Sequence, residues 1–120
     1  MTIDEMLQAM RALEGFTDNV GMVLMHNGVV RSWSRQNHDT VTAVEVFPDQ
    51  ERIDAITKDI EAKPGIFKAM AYAHSGALKP GDDLLKLLVA GDVRENVIPA
   101  LTEYLNRVKA EAVKKREVLA

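Results

Sequence analysis

The chain has 120 residues, 47% hydrophobic and 28% charged, the make-up of one globular domain rather than a disordered segment. Its net charge of 15 − 18 = −3 argues against a general nucleic-acid binder, and the absence of cysteine excludes disulfides, cysteine nucleophiles and thiolate metal sites. No apolar run approaches the ~18 residues of a membrane span and the first residues lack the apolar core of a signal peptide, so a soluble cytoplasmic protein without membrane contact is expected.

The elements follow in chain order. Thr2 and Glu5 have capping-box spacing. Ile3, Met6, Leu7, Met10 and Leu13 repeat at helical intervals, and Gly15 is a stop. Gly21 to Val30 reads as a strand, and its nearly continuous apolar run suggests burial on both faces. Ser32 to Asp39 is a polar loop, and Thr40 to Phe47 alternates as a second strand. Pro48 and Asp49 open a helix with Ile53, Ile56 and Ile60 on one face, ended by Lys63-Pro64-Gly65. Ile66 to His74 is a third strand, Lys79-Pro80-Gly81-Asp82 a turn, and Leu84 to Ala90 a fourth strand with Lys86 as its one charge.

Asp92 as N-cap and Glu95 three residues on start the last helix. Val97, Leu101, Leu105, Val108 and Ala112 form one face, and the helix is expected to run from about Val93 towards Leu119, bent or started late by Pro99. The order α-β-β-α-β-β-α predicts one α+β domain over residues 1–120, a mixed or antiparallel sheet packed against helices.

Several chemistries find no support. His26, His38 and His74 lack the i, i+4 spacing of a helical metal site and no carboxylate cluster accompanies them, so no metal is expected. There is no Gly-x-Ser-x-Gly elbow and no phosphate-binding glycine loop. The basic residues are more informative. Arg31 and Arg35 follow the first strand, where a strand-end arginine can pair bidentately with a phosphate or carboxylate in a cleft; an exposed strand-end charge is the competing reading. Arg107, Lys109, Lys114, Lys115 and Arg116 lie near the end of the last helix, where cations also complement the helix dipole.

Four stretches resemble the catalytic (large) subunit of molybdopterin synthase. They are Gly21-Met22-Val23-Leu24-Met25-His26-Asn27-Gly28-Val29-Val30-Arg31, then Val44-Glu45-Val46-Phe47-Pro48, then His74-Ser75-Gly76-Ala77-Leu78-Lys79-Pro80-Gly81-Asp82, and the strand Leu84 to Ala90 followed by a long helix. The resemblance covers about residues 20 to 117. It implies a homodimeric α+β enzyme of molybdenum cofactor biosynthesis, working without a bound cofactor. Its partner would be a small ubiquitin-like sulfur carrier with a Gly-Gly tail ending in a thiocarboxylate. Its substrate would be cyclic pyranopterin monophosphate, which receives two sulfurs to become molybdopterin.

By the same resemblance Arg31 falls on a substrate-pocket arginine, and Arg94 on the one matching member of a His-Arg pair. Lys115, in Lys115-Arg116-Glu117, falls on the second of two active-site lysines. Lys109 is the nearest candidate for the first, reached only through a gap. On a straight helix Lys109 and Lys115 would lie about 240° apart, so two lysines in one pocket demand a break. The sequence lacks the family's Pro-x-Trp breaker. Two other readings stand beside the enzyme: a non-catalytic relative serving as a dimeric binding partner, and an unrelated α+β domain.

Overall fold

The computed structural model describes all 120 residues. Ten elements follow one another: α1 Ile3–Arg11, α2 Phe16–Asn19, β1 Met22–Val29, β2 Val41–Pro48, α3 Gln50–Glu61, β3 Ile66–Ala73, β4 Gly76–Leu78, β5 Asp83–Gly91, α4 Arg94–Glu111 and β6 Val113–Leu119. The α+β class and the order of the larger elements are as the sequence predicts. The strands form two antiparallel sheets rather than one, ordered β1-β5-β3 and β4-β2-β6.

Local chemistry explains the element starts. Thr2 and Glu5 form the reciprocal capping box, with Glu5 N–H donating to Thr2 Oγ1 at 3.1 Å and Thr2 N–H to Glu5 Oε1 at 3.0 Å. Asp49 caps α3 by accepting from the Arg52 N–H at 3.1 Å. Gly81 takes φ +93° in the Lys79–Asp82 turn, a left-handed conformation open to glycine at little cost. That turn ties the end of β1 to the start of β5: Gly81 N–H donates to the Val30 carbonyl and Val30 N–H to that of Asp82, both at 2.9 Å.

The strand buried on both faces is β5, the middle of its sheet, and not β1, which is an edge strand with Met25 and Val29 exposed. Period-two alternation divides β5 between two cores. Leu85, Leu87 and Val89 meet Ile53, Ile56 and Ile60 of α3 and Val97, Tyr104 and Val108 of α4. Leu88 and Ala90 face the other way, onto Met6 and Met10 of α1. Lys86 lies on that second face at 4% exposure, held by the Met1 carbonyl at 2.8 Å and by Asp83 at 3.5 Å. The second sheet has its own small core of Val30, Val41, Val44 and Val46.

The main departure from expectation is the end of α4. The helix begins at Arg94 and passes through Pro99, whose ring removes only a bond to the carbonyl of exposed Glu95. The expected capping box is absent: Val93 is the N-cap residue, Asp92 accepts from Val93 N–H and Asn96, and Glu95 pairs with Arg94. The helix then stops at Glu111, not near Leu119. Ala112 closes it, its N–H donating to the Val108 carbonyl at 3.0 Å and its own carbonyl accepting from Asp49. Residues 113–119 turn back as β6, antiparallel to β2, with Val46 opposite Lys115 and Val44 opposite Glu117.

Lys, Arg and Glu are good helix formers, so 113–119 has no local aversion to helix. Pairing overrides that propensity, because β4 offers β2 only three residues on its other side and β6 satisfies the remaining edge. The apolar stripe records the change. After Val108 and Ala112 the next positions on that face are Lys115 and Arg116, so a continued helix would have no apolar face to bury. No helix is long and apolar enough to cross a membrane.

Candidate functional site

A cleft of about 520 Å³ opens where the two sheets and the end of α4 meet. Four cations line it from three parts of the chain: Arg31 and Arg35 from the loop after β1, Lys109 from the last turn of α4, and Lys115 from β6. His26 of β1 and the polar loop residues Ser34, Gln36 and Asn37 complete the polar wall. Asp39 and Glu117 are its carboxylates, and Leu84 and Leu85 of β5 form part of its apolar wall.

Each cation is placed by its element. The end of α4 resolves the angular conflict between Lys109 and Lys115: because the helix stops at Glu111 and β6 runs back along β2, residues six apart meet in one cleft. Strand alternation then sorts β6. Lys115, Glu117 and Leu119 line the cleft, while Arg116 turns to the opposite face and pairs with Glu45. The loop is a small hairpin and not irregular coil. Trp33 bridges Thr40, Ser34 N–H donates to the Asp39 carbonyl at 2.8 Å, and Asp39 N–H donates to Ser34 Oγ at 2.9 Å. Those bonds account for the burial of Ser34 and present Arg35, Gln36 and Asn37 at the hairpin tip.

Lys109 stays exposed at the cleft, yet is held below the ordinary lysine value of 10.5, first by partial desolvation and then by the charges of Lys115, Arg35 and Arg31. His26 is held below 6.5 by burial and then by Lys109, and its Nε2 is enclosed without a hydrogen-bond partner. The cleft therefore combines fixed cations, suited to an anion, with an amine and an imidazole that lose their protons more readily than usual. No group of three or more metal-ligating side chains forms.

Of the residues singled out in the sequence, Arg31, Lys109 and Lys115 are brought together and Arg94 is not. Arg94 stands at the first turn of α4, about 22 Å along the helix from Lys109 at 1.5 Å per residue. Its side chain is 79% exposed and paired with Glu95, so within the chain it lines no part of the cleft. Gln36 and Asn37 did not stand out in the sequence, and His26 was weighed there only as a metal ligand. The one available signal was positional: His26 and Gly28 share a strand face two residues apart, on the way to Arg31.

Residues 2–111 match the MoaE protein family. No curated protein sequence matches the chain. Among solved structures, molybdopterin synthase from Staphylococcus aureus aligns over 100% of this chain and 86% of its own, with a TM-score of 0.81 at 17% identity. Molybdopterin cofactor biosynthesis protein E from Burkholderia multivorans ATCC 17616 aligns over 100% and 85%, with a TM-score of 0.77 at 21% identity. A protein–protein complex of subunits 1 and 2 of molybdopterin-converting factor from Helicobacter pylori 26695 contains a chain aligning over 99% of this chain and 80% of its own, with a TM-score of 0.73 at 15% identity. At these identities the solved structures establish a shared fold, which includes β6 beyond the end of the family match. With residues 2–111 matched, the chain belongs to the MoaE protein family.

Proposed function

We propose that this chain is the large, catalytic subunit of a molybdopterin synthase acting in the cytoplasm as a homodimer. In that reading it moves sulfur from the thiocarboxylated Gly-Gly tail of a small carrier protein onto cyclic pyranopterin monophosphate. The observation that carries the reading is the convergence of Arg31, Lys109 and Lys115 on one cleft. Arginine forms parallel hydrogen bonds to phosphate oxygens, so Arg31, with Arg35 beside it, anchors the substrate's phosphate. Lysine serves as a compact cation or, with its pKa lowered, as a proton carrier. Lys109 has the lowered value and is assigned the proton-transfer role. Lys115 is assigned the anionic thiocarboxylate.

The homodimer is supported by shape. The radius of gyration is 15.3 Å and the extents are 50 × 25 × 24 Å, against about 13.6 Å for a compact 120-residue domain. The second sheet projects with only four buried valines as its core, and a partner would give it further cover.

The test is sulfur transfer reconstituted from purified parts, with a thiocarboxylated carrier and cyclic pyranopterin monophosphate, assaying molybdopterin. Lys109→Ala is expected to lower the rate roughly 10²-fold or more, the usual contribution of a positioned acid or base. Lys115→Ala lowers it too, and Arg31→Ala acts mainly through KM. Wild-type rates in both lysine variants would overturn the lysine assignments. An inactive parent chain given a competent carrier would favour the non-catalytic relative.

A further inference from the structure

Arg31 sits in the cleft without a salt bridge: the ion pairs of the chain use other arginines and lysines. Its guanidinium instead lies over the indole of Trp33, with Cζ 4.8 Å from the ring centroid. The same indole stacks on the His38 imidazole, with centroids 5.0 Å apart and planes within 5°. Trp33 is not a wall of the cleft; it supports Arg31 from outside it.

The indole is itself held. Trp33 bridges Thr40, and Val41 N–H donates to the Ser32 carbonyl at 2.9 Å. His38 adopts φ +57°, the one non-glycine residue of the chain in the left-handed region, which is sparsely populated for such residues. His38 N–H donates to the Ser34 carbonyl at 3.0 Å, and the hairpin thereby keeps the imidazole against the indole.

We propose that Trp33 is a positioning residue: through the Arg31–Trp33–His38 stack it holds the Arg31 guanidinium oriented into the cleft with its N–H donors free for an anion. This rests on the reading of the cleft as an anion site. A carboxylate partner would orient Arg31 equally well but would occupy the donors that a phosphate needs and oppose its charge. An aromatic face attracts the cation without using its N–H groups. It also removes, before binding, the rotational freedom that an arginine otherwise loses on binding.

The experiment uses the full chain labelled with ¹⁵N, with the Arg31 Nε–Hε signal assigned by its loss in Arg31→Lys. In wild type the signal should be ring-current shifted and ordered. Trp33→Ala and Trp33→Leu should both move it to the free-arginine position and make it mobile, while Trp33→Phe keeps most of the shift and order. Trp33→Leu fills volume without a π face, so it separates stacking from packing. Inorganic phosphate is then titrated into each variant. Binding should weaken roughly two- to fivefold in Trp33→Leu, as for loss of an exposed cation–π contact, and Trp33→Leu should add nothing in an Arg31→Ala background. An unchanged Arg31 signal in Trp33→Leu, or additive effects of the two substitutions, overturns the proposal. Failure of wild type to bind phosphate refutes the anion reading of the cleft, while the Arg31 signal alone still decides the role of Trp33.

Discussion

Thr57 has one hydroxyl proton and gives it to the Ile53 carbonyl at 2.8 Å, so the 2.6 Å contact with Tyr104 leaves the tyrosine as donor. This bond joins α3 to α4 within the main core, and burial pushes the Tyr104 phenol up to about 12. Tyr104→Phe is expected to cost about 1 kcal/mol of stability through the lost bond, and Tyr104→Ala about 3–5 kcal/mol through the cavity. Urea unfolding of the two variants checks both values, and equal losses would refute the division between bond and packing. Tyr104 also shows what a single residue discloses: its place on the apolar stripe is readable from spacing, its partner on α3 is not. The same limit applies at the cleft. The residue types of Arg31, Lys109 and Lys115 suggested chemistry, but Arg94 carried the same charge and lies at the far end of its helix.

At the scale of elements, the two enclosed histidines make the strands sensitive to acid. His26 on β1 and His74 after β3 are both held below 6.5 chiefly by burial, and each has an enclosed Nε2 without a partner. The second cause is a like charge, Lys109 for His26 and Lys86 for His74. A histidine whose folded value is depressed binds its proton more readily in the unfolded chain. Stability is therefore retained above about 6.5 and declines as pH falls below it towards the folded values. Thermal unfolding at pH 8 and pH 5 should show this decline, and His26→Phe should reduce it. An equal decline in the variant would show that His26 is not a source. The sequence placed both histidines near strands; whether a strand histidine is enclosed depends on what covers its face, here the end of α4 for His26.

At the scale of the molecule, β6 joins the second sheet to the cleft. Truncation after Ala112 would strip the β2 edge of its long partner and remove Lys115. An exposed edge invites intermolecular pairing, so the truncated chain is expected to unfold at lower temperature and aggregate and, under the proposed function, to be inactive in the reconstituted assay. Unchanged thermal unfolding and a clean light-scattering profile would contradict this role for β6. Light scattering of the full chain tests the proposed homodimer as well: two copies are expected at micromolar concentration, and a strict monomer would refute it.

The sequence by itself determined the elements whose signals are local. The Thr2–Glu5 and Asp49 caps, the isoleucine face of α3, the Lys79–Asp82 turn and the alternation of β2 each depend on residues a few positions apart, so spacing reveals them. Its resemblance to a known family also pointed to Arg31 and Lys115, because residue types are conveyed by sequence directly. Only the tertiary structure decided the division into two sheets, the exposed edge at β1 and the reversal after Glu111. Each is a choice of partner between distant segments. Residues 113–119 are locally fit for a helix and become a strand because β2 has an unsatisfied edge alongside. That one pairing, between residues some seventy positions apart, brings Lys115 to the cleft that Arg31 and Lys109 line from the loop after β1 and the end of α4.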